Sequence, residues 1–144
     1  MSVKSIPDGY HTITPYLIVE DADKLVEFVE NIFDGELLFK MQNDKGKIRH
    51  AEMKIGDSMM MLAEASEEWK PSQTMLHLYV EDIDATYQKA LEAGAIAVKE
   101  PKNEFYGDRA GCVQDSFGNF WGIATHIEDV SEAEMAERAN ATAG

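Results

Sequence analysis

Basic residues and cysteine are both scarce in this chain of 144 residues. Lys and Arg number 13 against 27 Asp and Glu, which gives a formal net charge of −14 at pH 7. Nucleic-acid binding requires a basic face that neutralises phosphates. The charge therefore argues against nucleic-acid partners and against an anionic membrane surface. The single cysteine, Cys112, excludes an internal disulfide and a cysteine-rich zinc site.

Long apolar runs are also missing. No basic segment followed by an apolar one opens the chain, and no run approaches the roughly 20 residues of a membrane-spanning helix. We therefore expect a cytoplasmic protein with no membrane partner. The length suits a single domain, residues 1–144, that buries a core of its own. An apolar fraction of 44% and a charged fraction of 28% are ordinary for a globular protein.

A short segment of the chain occurs twice. Leu17–Asp23 is echoed by Leu78–Asp84, and we call the spacing from Leu17 to Leu78 the repeat offset. The identical pairs are Leu17/Leu78, Val19/Val80, Glu20/Glu81, Asp21/Asp82 and Asp23/Asp84. In each copy a short alternating apolar run meets acidic residues and then a helical pattern, which is typical of a strand that enters a helix through an Asp N-cap. The sequence therefore predicts a duplicated fold.

The hydrophobic pattern predicts the same order of elements, βαβββ, in each half. Strands are predicted at 13–19, 37–42, 47–55 and 58–62, and again at 76–80, 95–99, 111–114 and 120–125. Helices are predicted at 24–33 and 85–93, and loops at 65–73 and 101–108. Repeat one thus covers about 11–66 and repeat two about 74–126, which indicates the α+β class.

The end of the chain carries a further helix signal. Ser131 and Glu134 form a capping box, which predicts a short helix at about 131–140. This helix either packs on its own domain or forms a contact in a dimer, because helices this short seldom hold without tertiary packing.

Four runs of residues carry a family resemblance. They are His77–Asp84 (HLYVEDID), Tyr106–Arg109 (YGDR), Asp115–Trp121 (DSFGNFW) and Ile123–Val130 (IATHIEDV). Together they resemble the PhnB-like, glyoxalase-related branch of the vicinal oxygen chelate superfamily. That superfamily includes glyoxalase I, extradiol dioxygenases, fosfomycin-resistance transferases and bleomycin-resistance proteins. The resemblance covers residues 11–126 and implies that the strands form a curled mixed sheet, a cup that holds a small molecule.

The resemblance also implies where a metal would be held. In the metalloenzymes of this superfamily, an early residue of the first strand and a residue of the last strand of each repeat hold one divalent ion. Those positions here are Thr14, Met75, Gly122 and either Met60 or Met61. These residue types cannot replace His and Glu around a divalent ion. We therefore expect no metal or other cofactor, which argues against catalysis that uses the ion as a Lewis acid.

Strand alternation places further side chains on the cup face. If Thr14 and Met75 face the cup, so do Tyr16 and Ile18 in the first strand and His77 and Tyr79 in the fifth. Tyr16 and His77 are separated by the repeat offset, so the repeat predicts that they are partners across the cup floor. His77 is the candidate catalytic residue, as an acid/base or a hydrogen-bonding group, because histidine titrates near neutral pH. Alternatively, it is a half-buried histidine satisfied by Tyr16 or a backbone group.

Two other groups of residues have open interpretations. His50 and Glu52, two apart on one strand face, either join His77 in a displaced metal site or belong to a solvated polar face. In the loop before the seventh strand, Tyr106 is expected to contact the ligand. Arg109 either binds an anionic group of the ligand or ties the loop to its neighbours.

Methionine and tryptophan suggest the chemistry of the ligand. Met75 and Met60 or Met61 would form an adaptable apolar lining, although most methionines here are core residues. Trp69 is either a packed loop anchor or a lid over the cup. We therefore predict a homodimer that binds a small apolar or aromatic molecule without the usual metal site. The alternative is a lyase, isomerase or transferase that acts through His77 or a displaced metal. The sequence leaves open the ligand's identity and whether one chain or two form the cup.

Overall fold

The predicted α+β fold with two βαβββ repeats is confirmed. A computed structural model describes residues 2–142, and the chain divides into two compact units, Met1–Gln73 and Thr74–Gly144. The first unit contains β1 (Tyr16–Val19), α1 (Ala22–Phe33), β2 (Glu36–Gln42), β3 (Ile48–Ile55) and β4 (Ser58–Glu64). The second contains β5 (Met75–Tyr79), α2 (Ile83–Glu92), β6 (Ile96–Asn103), β7 (Asp108–Gln114), β8 (Phe120–His126) and α3 (Glu132–Thr142).

Each unit holds one four-stranded mixed sheet, and the two sheets have the same topology. Their strand orders are β1-β4-β3-β2 and β5-β8-β7-β6. The first strand of each unit runs parallel to the last, and the other pairs are antiparallel. Tyr16 pairs with Met61, and His77 pairs with Gly122. His77 follows Tyr16 by the repeat offset, and Gly122 follows Met61 by the same offset. The residue pairing between strands is therefore duplicated together with the sequence.

A helix covers one face of each sheet. In α1 the buried side chains are Ala22, Leu25, Val26, Val29, Ile32 and Phe33, at the spacing of one helical face. In α2 they are Ile83, Tyr87 and Ala90. The cores beneath include Met53 and Leu62 in the first unit and Trp121 and Ile123 in the second, all fully buried. Burial of each such side chain contributes roughly 1.5–3 kcal/mol to the stability of the fold. The other face of each sheet is not covered by α1 or α2.

The two helix starts differ, which corrects one prediction. Asp82 caps α2 as predicted, because its Oδ1 accepts a hydrogen bond from the Ala85 amide at 3.1 Å. Asp21, by contrast, has left-handed backbone angles and makes no side-chain cap. The carboxylate of Glu64 instead accepts from the amides of Asp21 and Ala22. In the second unit Thr125, which follows Glu64 by the repeat offset, likewise accepts from the Ile83 amide at 2.9 Å.

Proline accounts for the largest errors in the predicted strands. β1 begins at Tyr16 rather than at residue 13, because Pro15 has no amide hydrogen to donate to a sheet. β6 continues through Pro101 to Asn103, where a loop was predicted. Strand β6 tolerates this proline because it lies at the edge of its sheet and its register shifts between Lys99 and Lys102.

The C-terminal helix is tied to its own unit. The Ser131 hydroxyl accepts from the Glu134 amide at 3.2 Å, as the capping box predicts. Arg138 donates to the Glu128 carboxylate and to the Phe105 carbonyl. These contacts match the packing role that was one of the two alternatives for this helix. Within residues 2–142, no helix is long and apolar enough to cross a membrane.

Candidate ligand-binding site

A cavity of about 950 Å³ lies in the first unit, on the sheet face that α1 leaves open. Its wall includes Tyr16 and Ile18 from β1, Ile48 from β3 and Ala63 from β4. Trp69, from the loop that follows β4, also lines it and is 63% exposed. Strand alternation predicted that Tyr16 and Ile18 share a face, and both lie in this wall. The exposure of Trp69 shows that it is not a packed loop anchor.

Four polar side chains form a hydrogen-bonded chain beside this cavity. The Tyr16 hydroxyl lies 2.9 Å from Nδ1 of His50, and Nε2 of His50 lies 2.9 Å from Oε2 of Glu52. The other carboxylate oxygen of Glu52 accepts from the Tyr10 hydroxyl. His50 and Glu52 therefore lie together on one strand face, as alternation predicts, and connect Tyr16 to the N-terminal segment. We call these four residues the Tyr16 chain.

Charge and burial set the protonation of these groups. The hydrogen bond from Tyr10, and then that from His50, lower the pKa of Glu52, so this carboxyl group is ionised at neutral pH. Burial, followed by the hydrogen bond to Glu52 and its charge, raises the pKa of Tyr10 to about 12. Burial and the charge of Glu52 also raise the pKa of Tyr16. Both phenols therefore stay neutral around one carboxylate.

The N-terminal segment, residues 2–12, which we call the N-terminal arm, lies against the sheet face that α1 leaves open. Ile6, Tyr10 and His11 line a second cavity, of about 530 Å³, together with Thr14, Glu52 and Met61. The role of Tyr10 in this arm was not predicted from the sequence. The available signal was a single aromatic residue in an otherwise polar segment. The arm thus lies against Thr14 and Met61, two of the positions that the resemblance relates to metal binding.

The sheet register decides which of the two alternatives, Met60 or Met61, lies on the sheet face that α1 leaves open, and it places Met61 there and Met60 on the other face. Met60 pairs with the fully buried Met53, on the helix-covered face, and is itself only 2% exposed. Met61 pairs with both Glu52 and Tyr16 and therefore shares their face. Met61 also precedes Gly122 by the repeat offset. Alternation alone could not fix this register, because three methionines follow one another in β4.

In the second unit, β5 presents Met75, His77 and Tyr79 on one exposed face. The rings of His77 and Tyr79 meet edge to face, with centroids 5.4 Å apart. Among residues 2–142, the imidazole ring of His77 makes no hydrogen bond to another side chain or to the backbone. Gly122 lies beside it on β8, and a Cβ atom placed on Gly122 would lie 2.6 Å from Nδ1 of His77. His77 therefore occupies the space in front of Gly122.

A buried carboxylate organises a second polar cluster. Asp108, at the start of β7, is only 3% exposed. Its Oδ2 accepts from the Tyr79 hydroxyl at 2.7 Å, and its Oδ1 lies 2.7 Å from Nδ1 of His126. Nε2 of His126 in turn lies 2.7 Å from Asp129. His126 is exposed, and its link to a buried aspartate was not predicted from the sequence.

We expect the stability that His126 contributes to depend on pH. Hydrogen bonds to Asp108 and then to Asp129 raise the pKa of His126 above its ordinary value of 6.5. This contribution is thus fully present below 6.5 and is lost as pH rises through the higher pKa of the folded state. The His126→Gln variant should therefore lose more free energy of unfolding at about pH 5.5 than at about pH 9, measured by urea denaturation. A constant loss across this range would contradict the prediction.

His11 provides the matched control for this measurement. It is exposed in the N-terminal arm, and its side chain makes no hydrogen bond within residues 2–142. The His11→Gln variant also removes one imidazole, but it should leave the pH dependence of unfolding unchanged.

The remaining predicted site residues are Tyr106, in the loop before β7, and Arg109, the second residue of β7. Arg109 donates from Nε and Nη2 to the two carboxylate oxygens of Asp84, at 2.8 and 3.0 Å, and from Nη1 to Asn103. These bonds match the alternative in which Arg109 ties the loop to its neighbours. Tyr106 is partly exposed and packs edge to face on Phe105. Its role as a ligand contact stays a prediction.

The described part of the chain contains no group of three or more His, Cys, Asp or Glu side chains arranged to hold a metal ion. His50 and Glu52 are adjacent, and both are already hydrogen bonded within the Tyr16 chain. The displaced metal site that would add His77 to them stays a prediction.

Two βαβββ units of identical topology define the vicinal oxygen chelate fold. The model of the glyoxalase/bleomycin resistance protein/dioxygenase superfamily matches residues 9–123, and the chain belongs to this superfamily. The predicted resemblance is thereby confirmed. The Mycobacterium bovis protein Mb0911c is 31% identical over 134 residues, which cover 85% of this chain and 88% of that protein.

Two solved structures share the fold. TioX from Micromonospora sp. ML1 aligns with a TM-score of 0.69 and 24% identity, over 81% of this chain and 99% of TioX. The PhnB protein from Bacillus cereus aligns with a TM-score of 0.62 and 18% identity, over 80% of this chain and 99% of that protein. At these identities the similarity concerns the fold alone, so the function is argued from the residues of this chain.

Proposed function

We propose that this protein binds a small apolar or aromatic molecule in the cavity of the first unit. The observation that carries the proposal is the cavity itself, about 950 Å³ in volume, with Tyr16, Ile18, Ile48, Ala63 and Trp69 in its wall. Pockets for small molecules have volumes of roughly 300–1,000 Å³ and combine apolar walls with a few polar groups. The Tyr16 hydroxyl supplies such a polar group, and Trp69 supplies an aromatic surface for stacking.

We also propose that binding does not use the superfamily's usual metal site. The positions that the resemblance relates to metal ligands hold Thr14, Met61, Met75 and Gly122, none of which offers an imidazole or a carboxylate. The position of His77 adds a steric argument. Since even a Cβ atom on Gly122 would lie 2.6 Å from Nδ1 of His77, a carboxylate side chain at 122 would require His77 to move. The residues present therefore do not fit the metal.

The second unit is included in this proposal as a source of ligand contacts. Met75, His77 and Tyr79 form an exposed face of mixed apolar and polar character on β5. Tyr106, in the loop before β7 of the same unit, is partly exposed. A cytoplasmic location and a homodimer belong to the same proposal and follow from composition and resemblance.

A second candidate function is an enzyme that acts through histidine. It is favoured by one observation, namely that His77 is exposed and that its imidazole ring has no hydrogen-bond partner within residues 2–142. An exposed histidine side chain of this kind can contact a substrate as an acid/base group. The reaction would be a lyase, isomerase or transferase step on a small metabolite, with or without a displaced ion held by His50, Glu52 and His77.

We expect the protein to bind Nile red, a neutral aromatic dye, and the Trp69→Ala variant to bind it about tenfold more weakly, because stacking area is lost. A fluorescence titration of the dye measures both affinities. The Ile96→Ala variant is the control, since Ile96 is 61% exposed on β6 and does not line the cavity. Equal affinities for the wild-type protein and the Trp69→Ala variant would place the dye elsewhere and contradict the proposal.

Metal analysis distinguishes the two candidate functions. Protein purified without added metal should contain far less than one equivalent of zinc, nickel or manganese. Stoichiometric metal that disappears in the His77→Ala or Glu52→Ala variant would overturn the metal-free proposal and favour the enzyme.

A further inference from the structure

We infer that Tyr16 is a hydrogen-bond acceptor in the cavity and that the site selects an aromatic molecule bearing one hydroxyl or amine donor. This inference rests on the proposed function and deepens it, because it names the chemistry of the ligand. It is carried by the directions of the hydrogen bonds in the Tyr16 chain.

These directions follow from Glu52. An ionised carboxylate only accepts hydrogen bonds, so Nε2 of His50, 2.9 Å from Oε2, must carry a hydrogen. In a neutral imidazole the other nitrogen, Nδ1, is then an acceptor. The Tyr16 hydroxyl, 2.9 Å from Nδ1, therefore donates its hydrogen to His50. The Tyr10 hydroxyl donates to the second oxygen of Glu52 and helps to hold the carboxylate in place.

These directions fix the role that the Tyr16 hydroxyl can take in a hydrogen bond with a ligand. Its one hydrogen is used by His50, so its oxygen can only accept a hydrogen bond from a ligand. Ile18, Ile48 and Ala63 surround the same cavity, and an acceptor that loses water there without gaining a donor is costly. A ligand with a hydroxyl or amine satisfies the oxygen. A ligand with only acceptors leaves it unpaired.

The charged residues of the cavity do not provide the same selection. Glu64, which also lines the cavity, already accepts two backbone amides at the start of α1. Arg49, Glu68 and Lys70 line it as well but are exposed to solvent, where their contribution to binding is small. Of the uncharged polar side chains in the wall, Asn43 and Ser66 already accept backbone amides of their own loops, and Ser72 is exposed. Tyr16 is therefore the group whose hydrogen bonding discriminates between ligands of the same shape.

The test compares three ligands of the same ring system by equilibrium dialysis against the full chain at about pH 8. 2-Naphthol carries a donor, 2-methoxynaphthalene carries only an acceptor, and naphthalene carries neither. We expect 2-naphthol to bind about fivefold more tightly than 2-methoxynaphthalene, which corresponds to one neutral hydrogen bond. Equal affinities of the two would overturn the inference and leave the proposed function standing. If none of the three binds, the proposed function itself fails.

Variants then assign the preference to the Tyr16 chain. Tyr16→Phe should abolish it, while naphthalene still binds. His50→Phe releases the Tyr16 hydrogen, so 2-methoxynaphthalene should gain affinity and the preference should fall below about twofold. An unchanged preference in either variant would overturn the inference. Tyr87→Phe, which removes a buried hydroxyl of α2 outside the cavity, is the control and should keep the preference. If the variants fail to fold, the ratio measured on the wild-type protein still decides.

Discussion

The Asp115→Ala variant is expected to lose about 3–5 kcal/mol of the free energy of unfolding. Asp115 is buried in the turn between β7 and β8. Its Oδ1 accepts from the amides of Phe117 and Asn119, each at 2.8 Å, and its Oδ2 accepts from Nε1 of Trp121 at 2.7 Å. Alanine would leave three donors without their acceptor, one of them on a fully buried indole. Each unsatisfied buried donor costs about 1–3 kcal/mol.

Two controls separate this network from a general effect of the turn. Asp115→Asn keeps one acceptor oxygen and should lose less than the alanine variant. Asp57→Ala changes the corresponding turn between β3 and β4, where Asp57 is exposed, and should cost less than about 0.5 kcal/mol. Urea denaturation measures all three. A loss for Asp115→Ala no larger than that for Asp57→Ala would show that the hydrogen bonds of Asp115 are replaced by water.

The effect should also reach the candidate site. β8 pairs Gly122 with His77 and Trp121 with Leu76. The turn that contains Asp115 leads directly into β8 and therefore fixes the position of the strand that pairs with β5. In a variant that remains folded, the ring of His77 should lose its fixed position against Tyr79. A changed chemical shift of the His77 ring protons would report this loss.

The Gly107→Ala variant is expected to lose at least about 3 kcal/mol. Gly107 has a φ of +99°, and a Cβ atom there would overlap the carbonyl oxygen of Glu128. The Gly107 carbonyl also accepts from the amides of Ile127 and Glu128. A side chain at 107 must therefore displace the segment that leads from β8 to α3. Free energy of unfolding and the hydrogen exchange of these two amides measure the change.

Gly46→Ala is the matched control for this substitution. Gly46 also has a positive φ, +77°, but a Cβ atom there would meet nothing within 4 Å. Its cost should be limited to backbone strain, about 1 kcal/mol. The difference between the two variants isolates the steric effect of the Glu128 carbonyl. If both cost the same, the close approach at Gly107 has no energetic consequence.

Much of the fold follows from local patterns in the sequence. The repeat offset, the strand alternation and the helical spacing predicted both βαβββ units, and the shared face of Tyr16 and Ile18 followed from alternation alone. Asp82 was recognised as a cap because its partner, Ala85, is three residues away. Such features depend on neighbours in the chain, and their geometry is set by the backbone.

The candidate site was predicted less completely because its decisive contacts join distant residues. Tyr10 and Glu52 are 42 residues apart, and Glu64 caps a helix that begins 42 residues earlier. The choice between Met60 and Met61 required a sheet register, and the ion pair of Arg109 with Asp84 required the packing of α2. None of these contacts leaves a periodic signal in the sequence.

The sequence alone determined the duplicated architecture and the resemblance to the superfamily, because both are a matter of residue type and spacing. Only the tertiary structure decided that His77 stands in front of Gly122 and that Glu52 orients His50 toward Tyr16. Those arrangements depend on the distances between atoms of different strands, which are fixed only when the sheets form and the side chains pack.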